Sequence, residues 1–447
     1  MREGSLEAPI RHIIDWESDN FYDEDNLDSE LRGVFDICHG CRRCFNLCDS
    51  FPTLFDLVDT TTSGEVDEVK SEDFSKVVDA CTLCDLCFVN KCPYVPPHEF
   101  NVDFPHLMLR HRAVQAKKHG VNFVDKQISK TDMVGSIATK IAPVVNWATA
   151  TSNQPVRKTI EALTGIDARV TLPTFANKTL CQQVNLSPCT PNINGPAYGQ
   201  KAVLFATCFG NYNNPNIGLA AIKVLTHQGI AVETVYPGCC GMPLLEKGDL
   251  AAVATQAEKI SKALEQYVAK GIPVISIIPS CSLMLKSEWP LLLPKNKAVK
   301  NLSKNVMDIS EYFIYLHKKF GITEGLKPLE NKSVTLHLAC HSRAQNIGAK
   351  AAEMLRIIPN LTVQIIERCS GHGGTWGMMK TNFETAIKVG KPVAKQAIAY
   401  DNPLVLSECP LAAKHILQGI NQQAVEEKSY STMHPIELVA KAYFSEC

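Results

Sequence analysis

The chain has 447 residues, with 45 Lys and Arg against 46 Asp and Glu for a formal charge of −1, so no basic field invites nucleic acid. That length asks for two or three domains, each with its own core; the opening MREGSLEAPI is no secretory signal, and no apolar run approaches the roughly 20 residues of a membrane span. Without an export signal, 18 cysteines grouped at ligand spacings read as reduced metal ligands in a cytoplasmic compartment, soluble or peripheral on the inner face of the cell membrane.

Residues 1–30 form an acidic leader, with Asp15, Glu17, Asp19, Asp23, Glu24, Asp25, Asp28 and Glu30 and no basic residue from Asp15 to Glu30. Such a run reads as a solvated or mobile face, or as a docking arm for a cationic partner. Residues 31–112 carry two cysteine clusters, Cys38, Cys41, Cys44 and Cys48, then Cys81, Cys84, Cys87 and Cys92, with a helical connection at Ser71–Val78. Cys-x-x-Cys-x-x-Cys presents three thiolates from one loop, which suits three corners of an iron–sulfur cube completed by a remote cysteine. In two-cluster ferredoxins the fourth cysteine of each run ligates the other cluster. By that rule Cys38, Cys41, Cys44 and Cys92 hold one 4Fe–4S cluster, and Cys81, Cys84, Cys87 and Cys48 the other. Structural zinc prefers paired Cys-x-x-Cys arms, and disulfides do not suit the compartment.

Residues 113–200 read as a connector. Arg110, His111, Arg112, Lys117, Lys118 and His119 make a basic stretch, followed by Met133, Val134, Ile137, Ile141, Val144, Val145 and Trp147 at helical spacing, broken by Pro143. The stretch suits either a helix lying on a membrane surface or packing against a neighbouring domain. Residues 166–200, with Pro173, Pro188, Pro191 and Pro196, read as an irregular linker.

The remainder contains a repeat, 201–325 and 332–447. Strand patterns at Lys201–Thr207, Ala231–Tyr236 and Ile272–Ile278 run to Cys208, Cys239-Cys240-Gly241 and Cys281. The second copy runs Val334–Leu338, Leu361–Ile366 and Leu404–Leu406 to Cys340, Cys369-Ser370-Gly371 and Cys409. Cys340 follows Cys208 by 132 residues, Cys369 follows Cys239 by 130, and Cys409 follows Cys281 by 128. Two α/β units with parallel strands are the natural reading, and ligands of such sheets sit beyond the carboxyl ends of the strands. Cys208, Cys239, Cys240 and Cys281 supply four thiolates for a metal centre. Cys340, Cys369 and Cys409 supply three, with His341 and His372 as nitrogen donors, a set that would also suit zinc. Buried free cysteines at tight strand ends are the plainer alternative.

Cys239-Cys240-Gly241 resembles the signature of the cysteine-rich CCG domain found in the B subunit of heterodisulfide reductase and in iron–sulfur subunits of membrane-linked dehydrogenases. The segments DMVGSIATKIAPVVNW from Asp132, CFGNYNNP from Cys208, CCGMPL from Cys239, PSCSLMLKSEWP from Pro279, ACHS from Ala339, GGTWG from Gly373 and HPIELVAKA from His434 resemble, in order, the family of the C subunit of the anaerobic glycerol-3-phosphate dehydrogenase. The resemblance implies a component that passes electrons from a flavoprotein dehydrogenase, or another redox subunit, towards quinone, held at the membrane by its amphipathic segment, with substrate oxidised on another chain. Departures are visible. The third strand ends read Cys281-Ser282-Leu283-Met284 and Cys409-Pro410-Leu411-Ala412 in place of Cys-x-x-Cys, and four residues separate Cys87 from Cys92 where three are usual. The extra residue must bulge near the cluster.

The expected architecture is therefore α/β and α+β multidomain: a helical two-cluster ferredoxin domain followed by a duplicated α/β cysteine-rich module with parallel strands. Its expected cofactors are two 4Fe–4S clusters and a further iron–sulfur or zinc centre in the module. The rival readings are a thiol–disulfide reductase of heterodisulfide type, with the module as active site, and a zinc-stabilised assembly scaffold.

Overall fold

The computed structural model describes residues 8–423 and 428–444. The first seven residues of the expected leader, and 424–427 and 445–447 of the second repeat, lie outside the described residues. The chain divides into two compact units. The first comprises residues up to Ser129 with Gly241–Ala254 and Pro290–Pro294; the second comprises Lys130–Cys240, Thr255–Trp289 and the residues from Lys295 on.

The first unit is built on four helices, α1 (Glu24–Cys41), α2 (Ser50–Asp59), α3 (Phe74–Ala80) and α4 (Phe104–His119). Each contributes an aromatic ring to the core. Phe35 meets Phe74 edge-on at 5.1 Å between centroids, and Phe51 stacks on Phe104 at 4.7 Å. All four rings are buried, and burying each contributes about 1.5–3 kcal/mol.

The acidic leader is not a free arm. Asp23 caps α1 by accepting the Asn26 N–H at 2.7 Å, and α1 then runs through the expected boundary at residue 30. Three cations of the basic stretch after the second cluster hold the leader. Buried Arg110 donates to the carbonyls of Phe21 at 2.9 Å and Asn20 at 2.8 Å, and pairs with Glu30. Lys117 sits 3.6 Å from the centroid of the Tyr22 ring, and Lys118 pairs with Glu24 at 2.9 Å. These cations are therefore not a spare basic patch for a membrane surface.

In the second unit the amphipathic stretch forms two helices, Thr131–Lys140 and Ala142–Thr149, with Pro143 in the first turn of the second, where a missing N–H costs nothing. The large apolar residues of the stripe are exposed. Ile137 is 55% exposed, Val144 62% and Trp147 64%, while Gly135, Ala138 and Ala142 are buried. The small residues are needed inward because the helix lies close on Tyr212: a Cβ at Gly135 would stand 2.3 Å from that ring. The large residues are left facing out. The expected linker is also anchored. Arg157, fully buried, donates to the carbonyls of Asp167 at 2.8 Å and Val170 at 2.9 Å, and residues Leu180–Leu186 form a helix started by a Thr179–Gln182 capping box.

The repeat becomes two all-parallel four-stranded sheets, in the orders β2-β1-β3-β4 and β6-β5-β7-β8. The strands are β1 (Lys201–Phe205), β2 (Ala231–Val235), β3 (Val274–Ser276), β4 (Val306–Asp308), β5 (Ser333–His337), β6 (Thr362–Ile366), β7 (Leu404–Ser407) and β8 (Ser431–Met433). Six match the sequence patterns; β4 and β8, three residues each, were not anticipated from the sequence. Both extend the repeat. Asp308 and His434, 126 residues apart, close their strands in the same way, each donating its N–H to a glutamate three residues on, Glu311 at 3.1 Å and Glu437 at 2.9 Å. In each sheet the chain winds outward from the first strand in one direction and then the other, so a switch point falls between β1 and β3 and between β5 and β7.

Candidate functional site

The first cysteine run leaves the end of α1, where Arg42 takes a left-handed φ of 49°, and the second leaves α3 with Leu83 at 48° and Asp85 at 62°. Alternating hand in successive residues turns neighbouring N–H groups to one side and makes a concavity for negative charge, as in many iron–sulfur loops. The extra residue between Cys87 and Cys92 is taken up by a π-helical turn, Cys87–Lys91, closed by the Cys92 N–H on the Cys87 carbonyl at 2.8 Å.

The thiols fall into two groups. Cys38 lies within electrostatic reach of Cys92, Cys44 and Cys41; Cys87 lies within reach of Cys84, Cys81 and Cys48, and also of Cys44. Burial first, and then these like charges, push Cys38 and Cys87 well above the ordinary thiol range. Four thiolates held together in an apolar setting need a cationic core to hold them deprotonated, so the donor set fits an iron–sulfur group.

Two arginines brace these loops. Arg11 donates to both carboxylate oxygens of Asp85 at 2.9 Å and to Asp103 at 2.9 Å, with its guanidinium 4.6 Å from the Phe88 ring centroid. Arg112 donates to the carbonyls of Val78 at 2.7 Å, of Cys81, and of Glu246 at 3.0 Å. No local pattern marks either residue for this role, because their partners lie far along the chain.

In the first repeat the switch-point cysteines meet. The Cys208 and Cys239 sulfurs are 3.8 Å apart, and Cys240 contacts both Cys239 and Cys281. Contact with Cys239, then burial, pushes Cys208 well up; contact with Cys239 and Cys281, then burial, does the same to Cys240. Three neighbours fix the turn. Asp132 accepts the Cys239 N–H at 3.1 Å and the Tyr236 hydroxyl, buried Trp289 donates its indole N–H to the Cys240 carbonyl at 3.1 Å, and Gly241 supplies a φ of 85°.

The second repeat is arranged differently. Cys369 accepts the Gly371 N–H at 3.4 Å beside Arg343, and Cys409 lies near Glu408 and near Cys281 of the first repeat. His341, at the Cys340 strand end, faces the first repeat through Ser280, Nδ1 to Oγ at 2.8 Å. His372 is held neutral by burial, with Nε2 enclosed and without a hydrogen-bond partner. The two sets of strand ends thus approach each other, with buried Asp308 and Glu408 both pushed up by burial. Among the described residues no three Cys, His, Asp or Glu side chains are arranged to hold a single metal ion.

Duplicated doubly wound sheets with cysteines at their switch points, joined to a helical unit bearing two cysteine runs, define a cysteine-rich redox-type protein; a cysteine-rich domain (CCG) matches residues 202–286. The chain belongs to the family of the C subunit of the anaerobic glycerol-3-phosphate dehydrogenase. It is 32% identical to that protein from Escherichia coli K12 over 324 residues, 72% of this chain and 76% of the relative. It is 29% identical over 251 residues to the B subunit of fumarate reductase (CoM/CoB) from Methanothermobacter marburgensis, covering 55% of this chain and 47% of the relative. It is 27% identical over 251 residues to the D subunit of dihydromethanophenazine:CoB–CoM heterodisulfide reductase from Methanosarcina mazei, covering 54% and 58%.

Proposed function

We propose that the chain is an iron–sulfur electron-transfer subunit that accepts electrons from a redox partner, a flavoprotein dehydrogenase in the simplest arrangement, and passes them towards a quinone or another acceptor. The carrying observation is the pair of thiolate groups in the first unit: Cys38, Cys41, Cys44 and Cys92, and Cys81, Cys84, Cys87 and Cys48. Each group would hold one 4Fe–4S cluster, and Cys208, Cys239, Cys240 and Cys281 a further centre. An iron–sulfur cluster, when bound, takes up and releases single electrons at a potential set by its hydrogen bonds and solvent exposure. The chain's own contribution is to fix the thiolates, exclude water with the Phe35, Phe51, Phe74 and Phe104 core, and set the local field through Arg11, Asp85 and Arg112.

Protein prepared without oxygen should contain at least about eight irons, four per cluster, with matching acid-labile sulfide and reducible paramagnetic signals. Stoichiometric zinc without sulfide would sink the reading. The 3.8 Å approach of Cys208 and Cys239 favours a second reading, a thiol–disulfide reductase acting at the first repeat. Disulfide turnover by the isolated chain with a reduced donor separates the two.

The exposed apolar face supports peripheral attachment to a membrane. Among the described residues no helix is long and apolar enough to cross one. A helix lying in the interface buries one apolar side and needs no spanning length.

A further inference from the structure

The first turn of the helix Thr131–Lys140 lies against the strand-end cysteines of the first repeat. Asp132 accepts the Cys239 N–H on one carboxylate oxygen at 3.1 Å and the Tyr236 hydroxyl on the other. Its neighbour Thr131 has an enclosed hydroxyl that lies beside the Cys208 thiol. Gly135 lets the helix come this close. A Cβ there would stand 2.3 Å from the Tyr212 ring, which itself packs edge-on against Tyr236 at 5.5 Å between centroids.

The Cys239 amide needs only an acceptor, and a neutral amide or hydroxyl oxygen would serve. Asp132 brings a formal negative charge instead. Among the described residues no Lys or Arg is ion-paired with it; Lys259, whose ammonium group lies 3.7 Å from where a Cβ of Gly238 would stand, forms no such pair. The carboxylate is half-buried, so its field is screened less than that of a charge in open water. Tyr236 offsets part of that field, because its hydroxyl donates to the carboxylate. The second repeat carries the opposite sign at the matching cysteine, since Cys369 stands beside Arg343.

We propose that Asp132 is a positioning residue for the sulfur site of the first repeat: it fixes the Cys239 turn against Cys208 and, through its charge, makes the site harder to reduce, with Tyr236 moderating that charge. This rests on the reading that Cys208, Cys239, Cys240 and Cys281 hold a redox centre. Reduction places one electron from the redox partner on that group, and so adds one negative charge close to a carboxylate that repels it. An electron arriving there is passed on readily and is not stored.

The test is a redox titration of the full, metal-loaded protein, following the paramagnetic signal that Cys240→Ser removes. Asp132→Asn keeps an acceptor for the Cys239 amide and removes the charge. It should favour the reduced form at least about tenfold, a rise of about 59 mV for one electron, with metal content and circular dichroism equal to the parent. Tyr236→Phe leaves the carboxylate without its donor and should move the potential the other way; in the Asp132→Asn background it should move nothing. Asp132→Ala removes acceptor and charge together and should lose metal from this site faster under a chelator. Potentials that move together or not at all in Asp132→Asn and Tyr236→Phe, or metal retention in Asp132→Ala equal to the parent, overturn the proposal and leave the centre standing. A parent with no signal or metal that depends on Cys240 overturns the underlying reading, and the proposal with it.

Discussion

Arg11 and Asp85 form a two-point ion pair, both oxygens of the carboxylate accepting from one guanidinium at 2.9 Å, with only 13% and 6% of the side chains exposed. Asp85 stands in the middle of the Cys84–Cys87 turn with a left-handed φ of 62°, so the pair holds a conformation that an unbraced aspartate seldom keeps.

Removing Arg11 alone should therefore do more harm than removing both partners. Arg11→Met leaves a buried carboxylate without its cation, a change that costs about 3–5 kcal/mol in comparable sites. Iron should be lost first from the group containing Cys81, Cys84 and Cys87. Adding Asp85→Asn should recover part of the stability, read by denaturant unfolding and iron retention under a chelator. Equal behaviour of parent and Arg11→Met would show that the pair braces nothing.

The two repeats should differ in metal retention. Cys240→Ser removes a sulfur in contact with both Cys239 and Cys281, whereas Cys369→Ser removes a sulfur beside Arg343 and the Gly371 amide. Metal analysis of both variants beside the parent should show the larger loss for Cys240→Ser. Equal loss, or none from either, counts against a centre built mainly on the first repeat.

Membrane attachment should follow the exposed face. Changing Ile137 and Ile141, 55% and 48% exposed, to Asp should release the chain from membranes and leave the cysteine groups loaded, since the helix packs through Gly135, Ala138 and Ala142. Detergent should release the parent better than salt, because the cations that precede the face in the chain, Arg110, Lys117 and Lys118, are committed to the leader. Aggregation or cluster loss in the variant would show that the face is covered within the protein instead.

Acid should destabilise the second sheet through His337. Its ring is buried, with Nδ1 at 3.0 Å from the Ser407 hydroxyl and Nε2 at 3.0 Å from the Arg368 carbonyl, and burial holds its pKa down to about 4 against an ordinary 6.5. Below 6.5 the unfolded chain takes the proton that the folded one refuses. Stability is thus full above 6.5 and falls as pH drops to about 4, by roughly 3 kcal/mol from this group. Unfolding of parent and His337→Asn across that range isolates the effect, since His372 and His434 titrate in both. Parallel curves would contradict it.

Residue order by itself determined the cysteine spacings, the repeat and six of the eight strands among the described residues, because short apolar β-branched runs and ligand loops are local patterns. The positions of Cys208, Cys239 and Cys281 at strand ends were legible for the same reason. The outcomes that depended on distant partners were decided by the tertiary structure. The acidic run from Asp15 to Glu30 keeps most of its carboxylates exposed, as the sequence suggests, but it is not mobile on that account: its backbone and the side chains of Tyr22, Glu24 and Glu30 are held by Arg110, Lys117 and Lys118, some 80 to 95 residues away. Periodicity could not say which side of Thr131–Thr149 faces inward; the close fit of Gly135 on Tyr212 put the small residues inside and left Ile137 and Trp147 outside. Equally, only folding sets Cys409 beside Cys281 and brings Asp132 to the Cys239 amide, since a charge acquires its partner, or is left without one, when chain segments far apart in sequence pack together.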